Sequence, residues 1–208
     1  MMENNVTDSA VSMMKKYLED MNNPLHIAVT GSSGTGKSTF VNAFRGIDNA
    51  DERAAPTGVE TTKPESYPHP IYPNVTLWDL PGVGTSKFPA DQYLKHSWFE
   101  NVDFFIIVSA GRFRENDARL AQEIKKMDKN FYFVRSKIDN NLSDAKRSQR
   151  EYDEEKTLQK IRENCIEGWF FSVSELFNNI VWNVLDHFVL HTFQNDLSLK
   201  MIVIGASG

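Results

Sequence analysis

Apolar residues along this chain come in two alternating modes. Short, nearly continuous runs are separated by longer stretches in which the apolar positions fall on one side only. Leu25–Thr30, Val75–Asp79, Phe104–Val108 and Phe131–Val134 are of the first kind and predict strands. Phe104–Val108 is apolar on both faces, as a central parallel strand should be. Lys37 to about Arg45 predicts a helix, as does Glu115–Met127 with its stripe of Leu120, Ile124 and Met127. Tyr152–Ile166 predicts a charged surface helix, and Trp169–Val173 reads as a last strand. Strands alternating with helices predict an α/β domain, a mostly parallel sheet with flanking helices.

The remaining stretches differ in kind. Thr7–Met21 predicts a short helix with Val11, Met14 and Leu18 on one face, a packing arm that Asn22-Asn23-Pro24 closes. Asp48–Pro73 has no period and is rich in Pro, Gly, Thr and charge, which predicts a functional loop. Asn140–Glu151 is polar and reads as solvated loop. Asn178–Phe193 predicts a helix with Trp182, Leu185, Phe188 and Val189 on its apolar side, and Met201–Gly208 reads like a strand entering a second glycine turn. The expected division is an arm over residues 1–23, a binding domain over 24–175 and a divergent tail over 176–208.

Composition narrows the function classes. With 208 residues, 40% hydrophobic and 25% charged, the chain can bury an ordinary core. A formal net charge of −5 argues against a nucleic-acid-binding face. Cys165 is the single cysteine, so no intramolecular disulfide forms, which fits a reducing compartment. No apolar run reaches the roughly 18 residues of a membrane span. The first residues show neither a signal-peptide core nor a Gly at position 2. The expectation is a cytoplasmic protein.

Gly31-Ser32-Ser33-Gly34-Thr35-Gly36-Lys37-Ser38 fits G-x-x-x-x-G-K-[ST], between a predicted strand and a predicted helix. Such a loop turns its N–H groups inward to cradle phosphates. Gly31, Ser33, Gly34, Thr35, Gly36, Lys37, Ser38 and Thr39 are therefore candidate nucleotide contacts. Lys37 can reach the β- and γ-phosphates and Ser38 can ligate Mg²⁺. Asp79-Leu80-Pro81-Gly82 ends the next predicted strand as a D-x-x-G. There Asp79 can support Mg²⁺ and the Gly82 N–H can reach the γ-phosphate.

Ser136-Lys137-Ile138-Asp139 follows an apolar strand and is similar to the [NTS]-K-x-D guanine motif. Guanine offers two donors, N1–H and the 2-amino group, and Asp139 can accept both. Adenine cannot satisfy that arrangement, which selects GTP or GDP over ATP. Lys137 would lie along the base and brace the phosphate loop.

These motifs and the strings around them resemble the immunity-related, interferon-inducible GTPases. The strings are Phe40–Gly46, Ala55–Thr62, Pro73–Val75, Leu77–Gly82, Asp103–Ile107, Phe131–Arg135 and Ile161–Cys165. The resemblance covers roughly residues 7 to 168. It implies a P-loop, dynamin-like G domain and a self-assembling GTPase of cell-autonomous immunity. It also implies homo- or hetero-oligomers with other family GTPases through the nucleotide face, and peripheral contact with intracellular or pathogen-vacuole membranes. Thr62 looks like the switch threonine, a second Mg²⁺ ligand, with Thr61 the alternative. Val83 stands where Ras-type GTPases carry a water-orienting Gln, and it cannot do that work. The resemblance implicates Glu60 instead, acting across a dimer interface. Ser174 is the candidate for the last guanine-contacting loop. Two other readings stay open: a nucleotide-gated binding module that barely turns over, and an ATP-dependent kinase on the same phosphate loop.

Overall fold

The computed structural model describes residues 23–85, 87–89, 93, 99–111, 114–173 and 202–206. In chain order the elements are β1 (Leu25–Thr30), α1 (Lys37–Phe44), β2 (Glu65–Pro68), β3 (Val75–Asp79), β4 (Phe104–Ser109), α2 (Glu115–Lys126), β5 (Asn130–Arg135), α3 (Ile138–Ser148), α4 (Glu154–Val173) and β6 (Ile202–Ala206). They form one sheet in the order β2-β3-β1-β4-β5-β6. The inner strands β3, β1, β4 and β5 are parallel, and each outer strand is antiparallel to its neighbour. The α/β fold with a mostly parallel sheet is as expected.

Alternation along each strand splits the core into two layers. Ala28, Phe105, Ile107, Phe131 and Phe133 face one side, where Leu120, Ala121 and Ile124 of α2 cover them. Ile27, Val29, Phe104, Ile106, Val108, Tyr132 and Val134 face the other, under Phe40, Val41 and Phe44 of α1. The register sets Val29 beside both Asp79 and Ile106. The carboxyl ends of the parallel strands therefore rise together at one edge of the sheet, where ligands of such folds bind.

Three expectations are corrected. Asn140–Glu151 is not loop, because α3 runs to Ser148. Its apolar stripe is only Ile138 and Leu142, which pack with Leu158 and Ile161 of α4. Asp139 in its first turn and Lys146 and Arg147 in its last complement the helix dipole. Trp169–Val173 is not a strand but the end of α4. Extending a helix already nucleated is easier than starting a new element, and Gly168 alone costs only about 1 kcal/mol. Within the patternless Asp48–Pro73 stretch, Glu65–Pro68 pairs with β3 as an edge strand that tolerates Pro68. The strand read near the end is β6. The predicted helices over Thr7–Met21 and Asn178–Phe193 lie outside the described residues. Among the described residues no helix is long and apolar enough to cross a membrane.

Candidate functional site

The first site element is the loop that leaves β1. Gly31 has φ +135, and a Cβ there would stand 2.2 Å from the Val108 carbonyl oxygen of β4. No side chain fits, so the chain exits the sheet hard against β4. It then folds back on itself: Thr35 Oγ1 donates to the Ser32 carbonyl at 3.0 Å and Lys37 Nζ donates to it at 3.1 Å. Helix α1 begins at once, its N-terminal end facing the same space. Lys37 is 7% exposed. Burial pulls its pKa down, while Asp79 and Glu60 oppose that shift. An ammonium so weakly hydrated gains much from an anionic neighbour.

Asp79 closes the other side at the end of β3 and is 2% exposed. Its Oδ2 accepts Ser38 Oγ at 2.6 Å and Thr61 Oγ1 at 3.2 Å. Its Oδ1 is buried and takes no hydrogen bond. Burial raises the Asp79 pKa; the bond from Ser38, the charge of Lys37 and the bond from Thr61 pull it back. A buried carboxylate oxygen without a donor beside two hydroxyls is a hard-oxygen environment. It suits Mg²⁺, which takes one or two carboxylates and keeps several waters. Among the described residues no group of three His, Cys, Asp or Glu side chains is placed to hold a metal, so a cation here would rest on this sparse set. Of the two candidate threonines, Thr61 reaches Asp79, whereas Thr62 is exposed.

The long loop has a fixed base and an exposed tip. Asn42, fully buried on α1, grips Ala55 with both ends of its amide, Nδ2 donating to the carbonyl at 2.9 Å and Oδ1 accepting the N–H at 2.6 Å. Arg45 binds the carbonyls of Arg53 and Pro68 and lies over the Tyr67 ring at 5.2 Å. Beyond that anchor, Thr57, Gly58, Val59, Glu60 and Thr61 line a cleft of about 390 Å³. Its other walls are Ser33, Gly34, Gly36, Lys37, Ser38, Thr39, Gly82 and Lys137. That volume lies within the range of small-ligand sites. Glu60 is exposed and Val59 is 67% exposed, so this wall of the cleft is also outer surface.

Gly82 is packed so tightly that a Cβ would meet Ser33 Cα and N at 2.8 Å. The D-x-x-G turn and the phosphate loop thus touch backbone to backbone. Val83 N donates to the Gly31 carbonyl at 3.1 Å, and its side chain, 3% exposed, packs into the core.

The guanine-type motif divides between two places. Ser136, 2% exposed, donates its hydroxyl to the Thr35 carbonyl at 2.7 Å. Lys137 takes a left-handed backbone at φ 55 and lines the main cleft. Asp139 stands exposed in the first turn of α3, in a separate recess of about 200 Å³ with Leu142, Ser143, Lys146, Tyr152 and Glu154. The cleft brings together Ser33, Gly34, Gly36, Lys37, Ser38, Thr39, Glu60, Gly82 and Lys137, while Gly31 and Thr35 shape the loop without lining it and Asp139 lines the separate recess. Ser174 lies outside the described residues. Sequence reasoning missed Asn42 as the clamp of the long loop; a lone amide among Phe40, Val41 and Phe44 was the available signal.

Comparison with known proteins bears on this arrangement. A family model described as interferon-inducible GTPase matches residues 1–172. T-cell-specific guanine nucleotide triphosphate-binding protein 2 of Mus musculus is 51% identical over 167 residues, 78% of this chain and 40% of the relative. Interferon-gamma-inducible GTPase 10 of Mus musculus is 51% identical over 162 residues, 76% of this chain and 39% of its own. Interferon-inducible GTPase 1 of Mus musculus is 46% identical over 164 residues, 77% and 39% respectively. The chain spans about two fifths of the length of these relatives.

Proposed function

This chain belongs to the interferon-inducible GTPase family, and from that premise we propose that it binds GTP and GDP with Mg²⁺ and hydrolyses GTP, faster when it self-associates. The observation that supports this best is the convergence of Lys37, Ser38, Thr61 and Gly82 on one cleft, with the buried Asp79 behind it.

Hydrolysis joins a water oxygen to the γ-phosphorus and breaks its bond to the bridging oxygen, giving GDP and phosphate. The barrier falls when charge on the γ-phosphoryl oxygens is neutralised and the water is held in line. Lys37 supplies an ammonium already stripped of much of its water. The phosphate-loop amides and the Gly82 N–H supply fixed dipoles. Ser38, Thr61 and Asp79 would hold Mg²⁺, which would supply positive charge to neutralise the phosphates. The base would run along Lys137 to Asp139, whose carboxylate accepts both guanine donors. The water needs a partner, and the buried Val83 offers none. Glu60, exposed at the cleft wall, is the residue we assign to it, completed by a second copy or a longer family member docking on this face.

We propose that this activity serves interferon-inducible cell-autonomous immunity, a reading that the family relationship supports. The same proposal puts the site of action in the cytoplasm, peripheral on intracellular or pathogen-vacuole membranes. The buried Val83 also favours a second reading, a weakly hydrolysing nucleotide-gated module that regulates longer relatives.

Turnover per molecule, measured across a range of protein concentrations, separates the two. The GTPase reading expects the rate to climb with concentration and to vanish in Lys37→Ala and Glu60→Ala. A flat, negligible rate with intact nucleotide binding would instead establish the gated module.

A further inference from the structure

We propose that Tyr93 is a positioning residue that aims the Gly82 N–H, and so sets how strongly the cleft prefers a nucleoside triphosphate to a diphosphate. The proposal rests on reading the cleft as a guanine-nucleotide site.

Tyr93 is fully buried, in the segment that follows the D-x-x-G turn. Its ring is held by aromatic neighbours, edge-on to Phe88 at 6.5 Å and 5.4 Å from Phe99. The hydroxyl reaches back beneath the site. It donates to the Pro81 carbonyl at 2.8 Å and accepts from Thr30 Oγ1 at 3.0 Å. The direction of this relay is forced, because a carbonyl can only accept. The Tyr93 proton must go to Pro81, so Thr30 must donate. Thr30 immediately precedes Gly31, and it too is fully buried.

The consequence lies in one peptide plane. The Pro81 carbonyl and the Gly82 N–H belong to the same planar group and, in a trans peptide, point in opposite directions. Fixing the carbonyl on Tyr93 therefore fixes where the amide hydrogen points. The flanking bonds, Leu80 N to the Val29 carbonyl at 3.2 Å and Val83 N to the Gly31 carbonyl at 3.1 Å, hold the ends of the turn but not that plane. Glycine at position 82 leaves the plane free to rotate at low cost once its anchor is lost. The Gly82 N–H thus points away from Tyr93, and Gly82 lines the cleft, where a third phosphate would meet it. Loss of the anchor should therefore weaken triphosphate binding and spare diphosphate binding.

The test is calorimetric titration of the full chain with GDP and with a non-hydrolysable GTP analogue, both with Mg²⁺. Wild type, Tyr93→Phe and Thr30→Val are compared, with a melting curve for each. Tyr93→Phe is expected to bind the GTP analogue about tenfold more weakly, the worth of one hydrogen bond to a charged group. Its GDP affinity should stay within about twofold of wild type. Thr30→Val keeps the Tyr93–Pro81 bond but removes the donor that polarises it, so it should shift the ratio the same way by less. Should Tyr93→Phe not fold, the ratio in Thr30→Val decides. Equal losses for both nucleotides, or an unchanged ratio in folded variants, would overturn the positioning role while leaving the nucleotide site standing. A wild-type chain that binds neither nucleotide would overturn both.

Discussion

The hydroxyl of Ser136 donates to the carbonyl of Thr35 at 2.7 Å, joining two motifs that lie 101 residues apart. The same hydroxyl also lies 3.3 Å from the Ser109 carbonyl, and the Ser136 N–H donates to that carbonyl at 2.9 Å. One small side chain thus ties the phosphate loop to β4 and to the turn that carries Lys137. Ser136→Ala leaves the buried Thr35 carbonyl without this donor and should destabilise the chain by about 1–3 kcal/mol. Urea unfolding measures that loss. A weaker GDP affinity should accompany it, because the loop loses its brace.

Asp79 predicts a conflict between stability and binding. Its folded pKa is raised, chiefly by burial, so its ionised form is a cost in the nucleotide-free protein. The sign follows: stability from this group is full below the ordinary carboxylate pKa and is lost as pH rises through the folded value. At neutral pH, Asp79→Asn should therefore raise the melting temperature of the nucleotide-free chain. The same variant should lose the Mg²⁺ dependence of nucleotide binding. A lower melting temperature would show that the ionised carboxylate is already compensated.

His69 predicts the opposite dependence on pH. Its Nδ1 accepts from the Ile71 and Tyr72 N–H groups at 3.2 and 3.3 Å, so the ring proton sits on Nε2 and points to the Phe44 carbonyl at 3.1 Å. Burial lowers its pKa, with a backbone bond to Phe44 opposing and Arg45 adding to the shift. Stability from this group is full above its ordinary pKa near 6.5 and falls as pH drops through the folded value. Wild type should lose stability between pH 7 and 5 faster than His69→Gln, as denaturant midpoints at the two pH values will show.

The threonine pair separates by position. Thr61→Ala removes a hydroxyl from Asp79 and should weaken Mg²⁺-dependent binding by about tenfold, while Thr62→Ala, at an exposed site, should change it little. Equal effects would mean that the loop rearranges when nucleotide arrives.

What the sequence revealed follows from how each feature is encoded. β4 and β5 were plain because central strands are apolar on both faces, and the phosphate loop and the D-x-x-G turn were plain because Gly31 and Gly82 answer to steric limits. Helix α3 was hidden because two apolar residues suffice when α4 already offers Leu158 and Ile161. The aromatic richness of Trp169–Val173 suggested a strand, and the running helix overrode it. The sequence does not tell Thr61 from Thr62, since which of two adjacent hydroxyls reaches Asp79 depends on the path of the loop. Asn42 and Tyr93 carry no motif, and their roles come only from what lies next to them.

A cleft that holds guanine nucleotide with Mg²⁺ must distinguish GTP from ATP and depend on the metal. Calorimetric titration of the chain with GTP and with ATP, each in Mg²⁺ and in chelator, tests it most directly. GTP is expected to bind, chelation to weaken it at least about tenfold, and ATP to bind at least about a hundredfold more weakly. Equal affinity for ATP would remove Asp139 from the base site, and indifference to Mg²⁺ would remove Ser38, Thr61 and Asp79 from the metal site.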